Sequence, residues 1–515
     1  MAHVTLPGSY LRSLLPKKED RKDQKSLISA LLSMNWMQWS FVFSGWLAWT
    51  CDAMDFFSVS LAVPILTKDP PEGFGRSTAA LTNAITLTLL FRSVGAAIFG
   101  IISDRYGRKW PLVVNLLLCC VLQIGSSFCT SYAQFLGVRS LFGIAMGGIW
   151  GLAVATALES VPVETRGFLS GVLQEGYAVG YLLAAVVNLT AVPHSSHTWR
   201  VLFWVAAGLS FFAALVRAVL PESEIFIRAR RHREELKRKG QVTDNRTRIF
   251  LRETKAMLIN HWKLCVYAIL LMTGFNFLSH GSQDIYPTYL ENDKLLSSSL
   301  ATKATIIGNC GAVAGGALAG YISQYLGRRL TIMLGALLIF VLQLNWLVYD
   351  RLHLLAFIPL WILPSTFPGL AAGAFFIQVG VQGAWGVIPI FLNELSPPAF
   401  RATFPGVAYQ IGNMVSSASA RIEAVGAENL KTTVKGSIVP NYAKVRSRVE
   451  GILIGVVTAF VFIVVAIGPD LHFEKHRVAF EEGGGNDDAY VEEDNVKTSR
   501  PSSIQSDEKR RTPEV

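Results

Sequence analysis

Long apolar blocks alternate with short polar ones along this chain. Blocks of about 20 or more apolar residues are long enough to cross a bilayer as helices. They fall at 41–66, 80–103, 111–130, 135–157, 168–191 and 200–220. A strongly charged stretch follows at 221–258, and six further blocks occupy 262–290, 299–323, 330–349, 368–393, 403–424 and 451–468. Residues 353–364 are apolar but short, and read as an irregular connection between the ninth and tenth blocks. From 469 onward the chain is polar, with Gly483-Gly484-Gly485, an acidic run and Ser, Thr and Lys. Such a tail cannot bury enough apolar surface to fold and is expected to be disordered. One block departs from its own pattern. Asn276 to Thr288 reads NFLSHGSQDIYPT. Asn276, His280 and Gln283 recur at i, i+4 and i+7 and share one helical face, with Asp284 one turn after His280. That face cannot meet lipid. It must line a protein cavity or a water-filled path, where ionisable groups mark substrate or proton routes.

Composition supports the same class. The 515 residues are 51% hydrophobic and only 16% charged, against about 25% charged in soluble proteins. Forty-three glycines suit close helix packing in lipid. The pattern predicts an all-α integral membrane protein of twelve transmembrane helices. Its segments are a cytoplasmic N-terminal part (1–37), a first six-helix half (38–220), a cytoplasmic central loop (221–258), a second half (259–468) and a disordered cytoplasmic tail (469–515). The net charge of +10 gives no ground for a nucleic-acid partner. The basic residues cluster in loops of one side, as the positive-inside rule expects of cytoplasmic loops. The loop 425–450, with Lys431, Lys435, Lys444, Arg446 and Arg448, falls on the outside and opposes the rule. No cleavable signal peptide is expected, since the first 37 residues are basic and polar. The six cysteines show no metal spacing and read as apolar packing residues.

The halves repeat. GIISDRYGRK (Gly100 to Lys109) is echoed by GYISQYLGRR (Gly320 to Arg329). GIWGLAVATALESVPVETRG (Gly148 to Gly167) is echoed by GAWGVIPIFLNELSPPAFRA (Gly383 to Ala402), which aligns Trp150 with Trp385, Glu159 with Glu394 and Arg166 with Arg401. Parallel repeats of this kind build transporters, with the substrate near the midplane between the halves.

Gly100-xxx-Asp104-Arg105-x-Gly107-Arg108-Lys109 resembles the signature loop of the major facilitator superfamily, between its second and third helices. The physical reading agrees. Gly107 permits a tight turn. Asp104 can accept from a nearby helix N-terminus, and Arg105, Arg108 and Lys109 can pair with carboxylates and helix C-termini. Asp104, Arg105, Gly107 and Arg108 are the candidate cytoplasmic latch between the halves, against the simpler reading of topogenic charge. The second copy has Gln324 in place of the acid, so its latch is expected to be weaker or absent.

NFLSHGSQDIYPT then resembles the Asn-x-x-Ser-His-x-Ser-Gln-Asp-x-x-x-Thr signature of the fungal carboxylate:proton symporters, the Jen-type lactate permeases. Asn276, Ser279, His280, Ser282, Gln283, Asp284 and Thr288 meet every fixed position. The resemblance covers the membrane body but not the tail. It implies a plasma-membrane importer of short monocarboxylates such as lactate and pyruvate, coupled to protons and working by alternating access. The loop charges themselves give a multi-pass topology with both termini cytoplasmic, and no nucleophile motif, metal-ligand cluster or cofactor loop points to an enzyme or a cofactor. The alternatives are a dicarboxylate symporter of the same family, for succinate or malate, and a non-transporting nutrient sensor on the same fold.

Six residues are candidates for the substrate: Arg92, Asn276, His280, Gln283, Gln410 and Asn413. Arg92 lies roughly 18 Å into the membrane at 1.5 Å per residue, where an arginine is costly unless paired. Its planar fork matches a carboxylate. The competing reading is a structural salt bridge to Asp52, Asp55 or Glu175. The amides of Asn276 and Gln283 suit carboxylate oxygens without adding charge. Gln410 and Asn413 share a face at i, i+3, and interhelical hydrogen bonding is their alternative. His280 and Asp284 are the proton candidates, because histidine titrates nearest physiological pH. Asp52 and Asp55 are candidate relays or partners of Arg92. Glu159 and Glu394, beside Arg166 and Arg401, read as structural. Gly143-xxx-Gly147 and Gly311-xxx-Gly315 read as close-packing faces. The partners expected are the carboxylate, protons and lipid. The Lys- and Ser-bearing tail is a candidate for ubiquitin-dependent turnover, although ordinary solvation accounts for its composition equally well.

Overall fold

A computed structural model describes residues 25–70, 72–223, 261–284, 286–292, 294–352, 366–396, 400–419 and 451–468, with residue 364 and scattered positions in 226–260 and 421–440. A short helix, α1 (Leu27–Leu32), precedes α2 (Trp36–Leu66), α3 (Thr78–Tyr106), α4 (Lys109–Ser127), α5 (Tyr132–Met146), α6 (Ile149–Leu158), α7 (Val163–Thr190) and α8 (Arg200–Val219). The second half holds α9 (Trp262–Gln283), α10 (Tyr286–Asn292), α11 (Ser298–Leu326), α12 (Arg328–Leu352), α13 (Phe367–Leu395), α14 (Thr403–Ser416) and α15 (Gly451–Ile467). Among the described residues, nine helices are long and apolar enough to cross a membrane, counting α5 with α6 and α9 with α10. The helices α12, α14 and α15 stand at the three other expected positions. The expectations for residues 1–24, 239–254, 353–363, 441–450 and 469–515 lie outside the described residues.

The repeat visible in the sequence is a repeat in structure. Both α3 and α11 run for 29 residues. Each starts at a serine cap: Ser77 Oγ accepts from the Ala80 N–H at 3.3 Å, and Ser297 Oγ from the Leu300 N–H at 3.4 Å. Each ends on a glycine with positive φ, +109° at Gly107 and +87° at Gly327. A side chain is strained there, so each glycine closes its helix at a fixed place.

The architecture departs from the expected spans in three places. The block at 135–157 is two helices, α5 and α6, broken at Gly147–Gly148. The block at 262–290 ends its main helix at Gln283, within the polar stretch, with Asp284 at its C-cap, and continues as α10. The 425–450 loop carries an antiparallel hairpin, β1 (Lys431–Val434) against β2 (Ser437–Pro440), with Lys431 opposite Pro440.

Polarity is distributed as lipid requires. Val121, Phe128, Phe211, Phe212 and Leu215 are exposed, while Asp52, Asp55, Arg92, Arg139, His280 and Asp284 are buried. A soluble protein would place them the other way round. The helices α2, α5–α6 and α13 bury most of their length, whereas α3, α7, α8 and α11 bury less than half. Across the halves, α7 packs on α11 and α3 on α14. Small residues allow both approaches: a Cβ on Gly171 would lie 2.3 Å from the Gly316 carbonyl oxygen.

Candidate functional site

The polar face of α9 is buried against α14. His280 is held on both ring nitrogens: Nδ1 lies 3.0 Å from Asp284 Oδ2, and Nε2 lies 3.0 Å from Asn413 Oδ1. Asn413 Nδ2 donates to Gln410 Oε1 at 2.6 Å, and Gln410 Nε2 donates to the Gly147 carbonyl at 3.3 Å. The helical spacings read from sequence, His280 with Asp284 and Gln410 with Asn413, thus form one chain of contacts. It ends on a backbone carbonyl of the first half.

Arg92 also meets Phe56. Its guanidinium lies 5.9 Å from the Phe56 ring centroid, and the same ring meets the His280 imidazole edge-on at 5.7 Å. Arg92 Nη2 donates to Asp52 Oδ2. The salt-bridge reading of Arg92 is therefore realised, with Asp52 as the partner. Phe56 thus touches both the guanidinium and the imidazole. Glu175 lies on α7 where α7 meets α11, with its Cγ 3.3 Å from where a Gly316 Cβ would stand.

Asn276 serves the helices. Its Nδ2 donates to the Met272 carbonyl at 2.8 Å and to the Tyr409 carbonyl at 3.3 Å, tying α9 to α14. Gln283 Nε2 donates to Gln378 Oε1 at 2.7 Å, and Gln378 Nε2 donates to Ser282 Oγ at 3.2 Å. Gln382 Nε2 reaches Ser279 Oγ at 3.4 Å. Gln378 and Gln382 complete the polar face from α13, and the sequence reading missed them. Their i, i+4 spacing inside an apolar block is the signal that marked the residues of α9. Aromatic rings close the other side. Trp150 and Trp385, matched by the repeat, both pack on Tyr409, at 4.7 and 5.5 Å between centroids, and Trp49 stacks on Tyr177 at 5.5 Å.

Asp55 belongs to a separate buried cluster. Ser210 Oγ donates to Asp55 Oδ2 at 2.9 Å, and Gln123 Nε2 to the Asp55 carbonyl at 3.3 Å. Arg139 Nη1 donates to Gln123 Oε1 at 2.9 Å, and its guanidinium lies 3.9 Å from the Phe142 ring centroid. This cluster joins α2, α4, α5 and α8 within the first half. Asp55 therefore does not share the Arg92 site as one of the sequence readings had it.

The two signature loops each reach across to the opposite half. Asp104 accepts from the Thr403 N–H at 2.9 Å, the Thr403 hydroxyl at 2.6 Å and the Ala402 N–H at 3.3 Å, at the start of α14. Arg108 pairs with Glu159 at 2.5 Å, and Arg105 lies over Tyr106 at 4.9 Å. Burial pushes the Glu159 carboxyl above its ordinary range, opposed by the nearby Arg108 and Arg401 guanidiniums. Gly107 is favoured by its φ of +109°, and the Glu222 carboxylate lies close against it. In the second copy Gln324 Oε1 accepts from the Gly167 N–H at 3.1 Å and its Nε2 donates to the Val163 carbonyl at 3.1 Å. Arg328 pairs there with Glu394 at 3.1 Å. Of the two outcomes expected for the second copy, weaker or absent, absence is corrected: an amide reaches the start of α7 by accepting and donating at once. Among the described residues no group of His, Cys, Asp and Glu could hold a metal.

The model of the sugar (and other) transporter family matches residues 25–469. A carboxylic acid transporter protein homolog of Saccharomyces cerevisiae is 34% identical over 475 residues, which cover 90% of this chain and 73% of that protein. A probable 4-methylmuconolactone transporter of Cupriavidus pinatubonensis is 27% identical over 373 residues, 72% of this chain and 79% of that one. A solved structure of XylE, a proton:xylose symporter of the major facilitator superfamily, superposes with a TM-score of 0.65 at 17% identity, over 83% of this chain and 94% of that chain. That last likeness shows the fold alone.

Proposed function

The chain belongs to the sugar (and other) transporter family of the major facilitator superfamily and is a multi-pass carrier rather than an enzyme; from that membership we propose that it imports short monocarboxylates, lactate and pyruvate, together with protons. The observation that carries this reading is His280, buried on α9 between Asp284 and Asn413 inside a complete carboxylate-symporter signature. The similarity to a carboxylic acid transporter homolog supports the substrate class.

In the proposed cycle the His280–Asp284 dyad takes one proton, and a carboxylate then competes with Asp52 for Arg92. Arg92 Nε has no hydrogen-bond partner among the described residues, so a planar anion has a donor to meet. One proton and one monovalent anion leave the net charge of the site unchanged, which removes the penalty for carrying a bare charge through a low-dielectric interior. Gln283 with Gln378 and Gln382 orients the anion. The halves then rock about the site, and the latch of Asp104, Arg105, Gly107 and Arg108 closes the cytoplasmic side between turns. On this reading the carrier works in the plasma membrane with both termini in the cytoplasm.

Uptake of radiolabelled lactate and succinate, in competition and in cells lacking their own carriers, tests this reading. Lactate uptake should collapse with a protonophore. Succinate preference would move the assignment to a dicarboxylate carrier, and uptake of neither would remove the transport claim. Arg92→Lys keeps the charge but loses the planar fork. It should lower saturable lactate uptake by about a hundredfold while the protein still reaches the membrane.

A further inference from the structure

The break between α5 and α6 turns one carbonyl toward the other half. The first backbone bond of α6 runs from the Leu152 N–H to the Gly148 carbonyl at 3.2 Å. The Gly147 carbonyl stands one residue earlier and accepts instead from Gln410 Nε2 on α14. Gly147 itself is pressed on the Arg92 helix: a Cβ there would lie 2.0 Å from the Arg92 carbonyl oxygen. Nothing in the notion of a polar cavity calls for this contact.

It fixes a direction. A carbonyl can only accept a hydrogen bond. The Gln410 amide must therefore turn its NH2 to Gly147 and its oxygen to Asn413. Asn413 must then donate to Gln410, which leaves only its own oxygen for His280. His280 Nε2 must accordingly carry a proton. Its Nδ1 faces the Asp284 carboxyl, so either Nδ1 or that carboxyl must carry a second one. Loss of that second proton would leave a lone pair of Nδ1 against a carboxylate. The ring escapes the clash only by inverting its tautomer, with Nδ1–H toward Asp284 and Nε2 as the acceptor. That inversion needs both amides to turn over, and Gln410 would then set oxygen against the Gly147 oxygen.

We propose that Gln410, anchored on the Gly147 carbonyl, is a positioning residue that keeps a proton on the His280–Asp284 dyad while the halves touch at this point, and frees it when they part. The inference deepens the symport reading and rests on it for its purpose. Gln410 then acts through Asn413 and His280 rather than by touching the anion. Contact between the halves becomes the condition for holding the proton. The other charged and titratable groups around His280 are Asp284 on its own helix, Asp52 and Arg92 from α2 and α3, and Tyr177 and Tyr409 from α7 and α14. The variants below alter none of them.

The test reads the proton directly. The full chain, labelled with 15N-histidine and reconstituted in nanodiscs, carries nine histidines, and the His280 signals are those lost in His280→Gln. Gln410→Ala frees the Asn413 amide to turn its NH2 to the ring, and the His280 titration midpoint should fall by about one pH unit. Asn413→Asp sets a second carboxylate on the ring, and the midpoint should rise by at least about one unit. Midpoints that stay put in both variants, or move the same way, would overturn the relay and leave Gln410 a packing residue. Lactate plays no part in this readout. Uptake indifferent to the proton gradient, beside midpoints that move as stated, would sink the symport reading and spare the relay.

Discussion

The two signature loops solve one geometric problem with different chemistry. Asp104 sets a carboxylate on the first N–H groups of α14, and Gln324 sets an amide between the Val163 carbonyl and the Gly167 N–H of α7. Both reach into the opposite half from the end of a 29-residue helix closed by a positive-φ glycine. The carboxylate gains twice. Its bonds are charge-assisted, roughly twice as strong as neutral ones, and it faces the positive end of a helix dipole. The amide gains little from the dipole but satisfies a donor and an acceptor together. The repeat thus preserves the reach across the halves and lets the charge go. In a carrier that opens by parting its halves, the α7–α11 side should yield more easily than the α3–α14 side.

Removing each side chain in turn breaks the comparison most directly. Asp104→Ala loses three hydrogen bonds to α14 and should weaken closure by about 3 kcal/mol, a shift of about a hundredfold in the closed population. Spin labels on the exposed Tyr106 and Tyr325 should report longer distances in that variant. Gln324→Ala loses only neutral bonds to the opposite half, its bond from Arg328 lying within its own half, and should cost about 1 kcal/mol, roughly fivefold in the same readout. Equal broadening in the two variants would remove the asymmetry.

The first contact should also answer to pH. Glu159, beside Arg108 and Arg401, has its carboxyl held above the ordinary range by burial. Opening returns it to water and to its ordinary value, so the closed form binds a proton more tightly. That contribution is fully present at low pH and is lost as pH rises through the raised value. The closed population should therefore fall by a few-fold on going from acid to neutral pH, and Glu159→Gln should weaken the trend. A closed population that rises with pH would show that the Arg108 pairing outweighs burial.

Much of this was legible in the sequence, and what was not has a common cause. The spans follow from length and hydropathy, and the repeat from Gly107 and Gly327, Trp150 and Trp385. Intrahelical spacing correctly gave the His280–Asp284 contact, because i and i+4 neighbours need no tertiary knowledge. Partners across helices were less visible. Arg92 had three candidate acids, and only the packing of α2 on α3 selects Asp52 while Asp55 turns toward Ser210. Gln378 and Gln382 lay unnoticed in an apolar block because amides carry no charge to stand out. Gln324 was read as a missing acid for the same reason. A reading that weighs charge alone undervalues a side chain that donates and accepts at one site.

Gln324→Glu sharpens the point with the smallest expected change. The substitution makes the second loop resemble the first in charge. The new carboxylate can accept from the Gly167 N–H and from Arg328 Nη1, which already lies 3.0 Å from Gln324 Oε1. The Gly167 bond gains charge assistance, and the Arg328 bond, charge-assisted already, becomes an ion pair. The other carboxylate oxygen, however, would face the Val163 carbonyl, where the amide now donates. An acceptor set against an acceptor costs about what a charge-assisted bond gains. Arg328 is also shared already with Glu394 at 3.1 Å, so its attraction for a second acid is partly spent. The closed population should move by less than about threefold in the spin-label distances. A strengthening as large as the Asp104→Ala loss would mean that charge alone sets the clasp and that the geometry of the acceptor pair is immaterial.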